Sequence, residues 1–320
     1  MTTYHVAMEQ QEMQESELGA GAELLAADLS STRLGVVGAG VMAEAMIAGL
    51  LRRGLLAREQ LLCSHPRAER RRELEVRYGV TVAANNTEVA RRATILLLAI
   101  KPQLLPSVLG DLSGAVRAKT VVISIVAGAS TAGLASRLSH NAIIRAMPNT
   151  PAQIGAGVSV WFATPEVSPT AKSKVRALLS ALGSELEVQD ELQVAMATAV
   201  SGTGPTYAFL FSESLVEAAV HLGFPRHLAR RLVLETLRGS IEFAIQSGEH
   251  PAQLRDMVTS PGGTSAEALA ALERGRFRTV IGDAVWAAFR RTLQLEASLQ
   301  GSGPGDARRP LPEPPPPARA

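Results

Sequence analysis

The chain has 320 residues, 46% of them hydrophobic and 19% charged, which is apolar material for one large or two ordinary domains. A formal charge of +2 with 4% aromatics argues against nucleic acid as a partner, which needs a clustered basic face backed by stacking rings. The longest apolar runs, Thr94 to Ile100 and Thr120 to Ala129, fall well short of the roughly 20 residues that cross a membrane, and a single cysteine, Cys63, without any His or Cys cluster at zinc spacing, excludes an internal disulfide and a structural metal.

Segment 1–32 carries no Lys or Arg but does carry Glu9, Glu12, Glu15, Glu17, Glu23 and Asp28. This is the opposite of an Arg-rich, acid-poor transit peptide, so a disordered acidic tail and a cytoplasmic location are expected.

Between 33 and 190, short apolar runs alternate with helical patterns: Leu34 to Val37, Leu61 to Ser64, Ile95 to Ile100, Val121 to Val126, Ala142 to Ala146 and Val158 to Phe162. Runs of Val, Ile and Leu without polar alternation suit strands buried on both faces between crossover helices. The expected fold class is therefore α/β, a Rossmann-type doubly wound parallel sheet.

The first of these strands runs into Gly38-Ala39-Gly40-Val41-Met42-Ala43, a G-x-G-x-x-A turn that opens a helix from Met42 to Arg53. Gly38 permits the tight turn, Gly40 lets a pyrophosphate approach the backbone, and Ala43 is small enough for helix to pack on strand, which points to a dinucleotide site. An NAD enzyme would place Asp or Glu at the end of the second strand, where this chain reads Cys63-Ser64-His65-Pro66-Arg67. Ser64 and Arg67 suit a 2′-phosphate, so the expected cofactor is NADPH, with NADH as the alternative. Arg67 also begins the Arg70-Arg71-Arg72 run, whose plainer alternative to a phosphate role is a solvated helix face. Two further loops, at Lys101-Pro102 and Ala127-Gly128, follow strands and fall where such sheets bind ligands.

From 191 to 298 the β-branched runs vanish, and Ala, Leu, Glu and Arg recur at helical spacing. Stretches such as Tyr207 to Leu222 and Arg226 to Ser247 are apolar on more than one face, so this half is expected to be an all-α domain that buries its surplus surface in a homodimer. The loop Thr259-Ser260-Pro261-Gly262-Gly263-Thr264-Ser265 leads into a helical pattern from Ala266 to Glu273. Its glycines, hydroxyls and free amides suit a small carboxylate, against the plainer alternative of a helix capped by Thr or Ser. Segment 299–320, ending PLPEPPPPARA, has too much proline for helix or sheet and is expected to be a disordered tail.

These residues resemble one family, the pyrroline-5-carboxylate reductases. The likeness covers 33 to 298 through the glycine turn, Ala99-Ile100-Lys101-Pro102, Met147-Pro148-Asn149-Thr150-Pro151, Ser201-Gly202-Thr203-Gly204-Pro205-x-Tyr207, Leu222-Gly223-Phe224-Pro225 and Ser260-Pro261-Gly262-Gly263-Thr264, and looks most like the shorter, cytosolic animal branch. The resemblance implies that the glycine turn, Ser64, Asn86, Ala99 to Pro102 and Ala127-Gly128 line NADPH. It implies that Glu191, Gly263, Thr264 and Ser265 line the substrate, with Thr264 and Ser265 closest to the chemistry. It further implies dimers joined by interlocking helices, assembled as a decamer, with each substrate loop serving the partner's site. Three positions depart from the family: Ser265 where Thr is common, Met257 where some relatives have Asn, and Ala195 where Asp is frequent.

Two other readings stand beside this one. A β-hydroxyacid dehydrogenase would need a lysine from the helical domain as acid–base, and the chain has none after Lys174. A non-catalytic NADPH-binding sensor would have no use for the glycines and hydroxyls of the 259–265 loop.

Overall fold

The computed structural model describes residues 29–300; the acidic segment up to 28 and the proline-rich segment from 301 lie outside the described residues. The described residues include Leu29 to Thr32, ahead of the expected start at Arg33, and contacts hold them to the sheet domain. Leu29 is buried, and the side-chain amide of Gln60 donates to the carbonyls of Leu29, Ser30 and Thr32 at 2.7, 3.2 and 2.8 Å.

The first compact unit holds an eight-stranded sheet in the order β3-β2-β1-β4-β5-β6-β7-β8. Its strands are β1 (Leu34–Val37), β2 (Leu61–Ser64), β3 (Thr81–Ala83), β4 (Ile95–Leu98), β5 (Val121–Ser124), β6 (Ile143–Met147), β7 (Gly157–Ala163) and β8 (Gly183–Glu187). Helices α1 (Val41–Arg52), α2 (Ala68–Tyr78), α3 (Asn86–Arg92), α4 (Leu105–Leu112), α5 (Thr131–Leu138) and α6 (Pro169–Ser180) cover its faces. Two apolar cores result, one built on Met46, Leu97 and Trp161, the other on Leu96, Leu98 and Leu134. This is the doubly wound Rossmann-type architecture that the apolar runs predict.

Two strands escape the sequence pattern, both at sheet edges. Thr81–Ala83 is only three residues long, and Gly183–Glu187 alternates with glutamates that face Lys172, Arg176 and Trp161 instead of a core. The sheet is also not wholly parallel, because β6 and β7 pair antiparallel. Their connection, 148–156, is shorter than the dozen or so residues a parallel crossover needs.

The second compact unit, from Thr203 to Ala288, is helical: α8 (Gly204–His221), α9 (Arg226–Ser247), α10 (Pro251–Met257), α11 (Thr264–Arg274) and the first part of α12 (Phe277–Gln300). The division differs from the expected 190/191 boundary. Helix α7 (Glu191–Ala197) and the π-turn Thr198–Gly202 belong with the sheet, as does the chain from Phe289 onward. The physical cause is Arg145 on β6, which is buried and pairs with Glu191 at the start of α7 and Glu296 near the end of α12. Helix α12 also continues to Gln300, past the expected tail boundary at 299.

The second unit has little core of its own. Phe209, Leu210, Leu232, Ile241, Phe243, Ile245 and Val280 are exposed on its long helices, while Ala219, Ala229 and Val233 are its buried apolar residues from Thr203 to Ala288. Such contiguous apolar faces need a partner surface.

Candidate functional site

The carboxyl ends of β1, β2, β4 and β5 are clipped together by backbone hydrogen bonds. The Gly38 amide donates to the Ser64 carbonyl at 3.2 Å, Ala99 to Val37 at 2.9 Å, and Ile125 to Leu98 at 3.1 Å. Gly38, Ser64, the Ala99 to Pro102 segment and the approach to Ala127-Gly128 therefore form one rim, at the edge where doubly wound sheets bind ligands.

Gly38 has a positive φ of 87°, and a Cβ there would stand 2.5 Å from Ile100 Cγ2 and 2.6 Å from the Ala99 carbonyl oxygen. Only glycine lets the turn lie against the Ala99-Ile100 segment. Gly40 differs, since a Cβ there would meet nothing within 4 Å. Gly40 is the N-cap of α1, and no side chain caps that end. The first-turn amides, including those of Val41 and Met42, are left for an external acceptor, which the helix dipole favours when anionic. Val41 itself is exposed beside the turn.

The one carboxylate in that first turn, Glu44, is drawn away to α2. It accepts from Arg77 Nη1 at 2.6 Å and Tyr78 Oη at 2.8 Å and pairs with Arg70. Burial works to raise its pKa, but the hydrogen bonds from Arg70, Tyr78 and Arg77 prevail and hold it below the ordinary carboxylate value. Arg70 is thus no solvated helix-face residue, which removes the plainer alternative for this position. Its Nε also donates to the Ala39 carbonyl at 3.1 Å and supports the glycine turn from behind.

At the end of β2, Ser64 is buried and donates to Asn86 Oδ1 at 2.8 Å, while Asn86 Nδ2 donates to Asp111 Oδ2 at 3.2 Å. The two residues carried over from the family resemblance are therefore in contact. Arg67, the N-cap of α2, is exposed, and its guanidinium makes no hydrogen bond or ion pair among the described residues. Lys101 is exposed at the start of the short turn Pro102–Leu104. Cys63 is buried, and desolvation pushes its thiol up to about 11, with Glu75 adding to the rise, so it packs as a small apolar residue.

Two placements differ from expectation. Gly128, with φ of 77°, turns its open side toward the backbone of α12, where a Cβ would lie 3.1 Å from Leu295 and 3.2 Å from Glu296. Its lack of a side chain lets the backbone of α12 pack closely against this loop. Glu191, expected at the substrate, has both carboxylate oxygens engaged: Oε1 accepts from the Thr131 amide at 2.8 Å and Arg145 Nη1 at 3.1 Å, and Oε2 from the Thr131 hydroxyl at 2.6 Å. Thr131, Arg145 and Glu296 carried no prediction. An arginine within an apolar strand was the available signal, since a buried guanidinium demands carboxylate partners.

In the second unit, the Gly263 amide donates to the Ser260 carbonyl at 3.0 Å, closing a turn before α11. The N-cap of α11 is Gly263, and no side-chain oxygen caps it. The plain alternative of a Thr- or Ser-capped helix is therefore not what forms. The hydroxyls of Thr264 and Ser265 make no hydrogen bond among the described residues, and they stand beside free first-turn amides, an arrangement suited to a small carboxylate. Among the family departures, Met257 is exposed, and Ala195 is fully buried in α7, where an Asp would need a partner.

Residues 191–295 match the family model described as pyrroline-5-carboxylate reductase dimerisation, and residues 33–128 match that described as NADP oxidoreductase coenzyme F420-dependent. The chain is 43% identical over 265 residues to the pyrroline-5-carboxylate reductase of Synechocystis, covering 83% of this chain and 98% of that one. The chain belongs to the pyrroline-5-carboxylate reductase family. The reductase of Pisum sativum is 35% identical, with 85% and 99% of the two chains covered. Identity to the bovine reductase 2 is 34%, with 68% and 69% covered. Among solved reductases of this family, that of Plasmodium falciparum, with NADP bound, superposes with a TM-score of 0.76 at 32% identity, covering 83% of this chain and 98% of that one. The Coxiella burnetii enzyme gives 0.78 at 31%, covering 83% and 99%. No helix among the described residues is long and apolar enough to cross a membrane.

Proposed function

We propose that the chain reduces pyrroline-5-carboxylate to L-proline with NADPH, the last step of proline biosynthesis. The observation that carries this reading is a pair of uncapped helix N-termini in a chain of this family: α1 behind the glycine turn, and α11 behind Thr264 and Ser265. The first suits a pyrophosphate and the second a small carboxylate. The residues present fit NADPH, because Gly40 leaves its approach open and the end of β2 offers Ser64 and Arg67 with no carboxylate beside them.

When bound, NADPH supplies the hydride that reduces the C=N carbon. The chain's own residues bind and orient. The glycine turn and α1 amides hold the pyrophosphate, Ser64, Asn86 and Arg67 hold the ribose phosphate end, and the loops at Ala99 to Pro102 and Ala127-Gly128 bound the nicotinamide end. The free amides of Thr264 and Ser265, ahead of which Gly263 closes the turn on Ser260, take the substrate carboxylate, and the Ser265 hydroxyl, with Thr264 beside it, meets the ring nitrogen. A protonated imine is a strong electrophile and its product is an amine that water can protonate, so no strong catalytic acid is required. Glu191 acts from behind, holding Thr131 and Arg145 rather than the substrate.

The exposed apolar faces of α8, α9 and α12 support a homodimer, and the matched dimerisation family supports the same conclusion. A decamer of five such dimers and a cytoplasmic location follow from the sequence resemblance and are proposed with it. The test is product identity: purified protein given pyrroline-5-carboxylate forms proline in step with NADPH consumed. Tight NADPH binding without proline formation would instead support the sensor reading.

A further inference from the structure

Three arginines follow one another on the first turns of α2, and the structure gives each a different task. Arg70 is tied to Glu44, Glu73 and the Ala39 carbonyl. Arg71 turns back over the β2–α2 loop, where its Nη1 donates to the carbonyls of His65 at 2.8 Å and Pro66 at 2.9 Å. Arg72 is exposed.

The loop itself is folded against the same helix end. The Arg67 amide donates to His65 Nδ1 at 3.2 Å, and the Arg71 amide closes the first helical turn on the Arg67 carbonyl at 3.2 Å. His65 accepts at Nδ1, and burial first, then the neighbouring Arg67, Arg70 and Arg71 charges, push its imidazole down toward the neutral form that can do so. The conformation of 64–67 is therefore fixed by one guanidinium on two carbonyls, leaving Arg67 at the head of the loop with its own guanidinium uncommitted among the described residues.

We propose that Arg71 is a positioning residue for cofactor choice: by clamping His65 and Pro66 it presents Arg67, beside Ser64, to the 2′-phosphate that distinguishes NADPH from NADH. The inference rests on the NADPH reading above. Both carbonyls are held by the one terminal nitrogen Nη1, whose two N–H groups are fixed in the guanidinium plane, whereas a lysine ammonium rotates its donors freely and holds the pair with less geometric constraint. Arg71 thereby acts through Arg67 and not as a second phosphate ligand.

The experiment is equilibrium binding of NADPH and of NADH to the full chain, followed by nucleotide fluorescence, for the wild type, R67A, R71A, R71K, R72A and the R67A/R71A double variant. Loss of a charge-assisted phosphate contact predicts that R67A weakens NADPH binding about tenfold or more, and NADH binding far less. R71A is expected to weaken NADPH selectively by roughly threefold to tenfold, and the double variant to bind no worse than R67A within about twofold, because the two residues act in series. R71K is expected to fall with R71A, whereas R72A, which removes the same charge from an exposed position, matches the wild type. Additive losses in the double variant, equal weakening of both nucleotides by R71A, or wild-type selectivity in R71K would each overturn the proposal. A wild type that binds NADPH and NADH alike would overturn the cofactor reading itself, and the proposal with it.

Discussion

Arg145, 2% exposed in the middle of β6, donates to Glu191 at 3.1 Å across the start of α7, and its other terminal nitrogen pairs with Glu296 of α12. One buried guanidinium thus fastens the segment entering the helical half and the helix returning from it to a strand of the sheet. Removing it leaves two carboxylates facing each other with their partner gone, and breaking a buried pair from one side is costly. R145M should destabilise the chain by roughly 3 kcal/mol, while E296Q, which leaves Arg145 bonded to Glu191, should cost roughly 1 kcal/mol. Urea unfolding midpoints check both, and equal effects would show that Glu296 alone anchors α12.

Gly38 and Gly40 stand two positions apart in the same turn and should respond oppositely. G38A forces a Cβ into Ile100 and the Ala99 carbonyl at a positive φ; it should destabilise the fold by roughly 3 kcal/mol or more. G40A meets nothing within 4 Å and should leave stability within roughly 0.5 kcal/mol. Its added methyl group instead stands where the pyrophosphate approaches, so NADPH affinity should fall about tenfold or more. Thermal melting and nucleotide titration separate the two.

The Glu44 network makes stability depend on pH in a predictable sense. Because the folded-state pKa of Glu44 lies below its ordinary value of 4.5, its contribution is present above that value and is lost as the pH falls through the depressed one. E44Q should therefore melt roughly 2–4 °C below the wild type at neutral pH. The gap should close as the pH falls below the ordinary carboxylate range, and a gap that is constant with pH would assign the effect to packing.

The exposed apolar faces of the helical unit predict how assembly fails. I241D and F209D place a charge on surface that needs a partner, and each should shift the protein toward smaller species in sedimentation velocity, with a lower melting temperature. Unchanged assembly in both variants would mean that the interface uses other faces.

Much of the fold was legible because it rests on local rules. The β1 and β2 boundaries and the Arg226–Ser247 helix coincide with their apolar periodicity, since a strand buried on both faces and a helix between Gly and Pro stops are written in composition alone. Edge strands were not legible, because Thr81–Ala83 and Gly183–Glu187 have no second buried face to mark them. Within the proposed site, the sequence marks Gly38, where the backbone conformation demands glycine, and the 259–265 loop, where the Thr264 and Ser265 hydroxyls make no hydrogen bond among the described residues. It was not legible where a residue works through long-range pairing. Glu191 turns toward Thr131 and Arg145, and Gly128 toward Leu295, contacts that depend on chain segments far apart in sequence.

The most direct measurement is NADPH oxidation with pyrroline-5-carboxylate by the wild type beside a T264A/S265A double variant, with melting temperature and NADPH affinity recorded for both. The expected result is rapid turnover by the wild type and a loss of about a hundredfold or more in kcat/KM in the double variant, with melting and NADPH binding unchanged. Undiminished turnover in the double variant, or none in a wild type that binds NADPH, would contradict the assignment of this loop to the substrate.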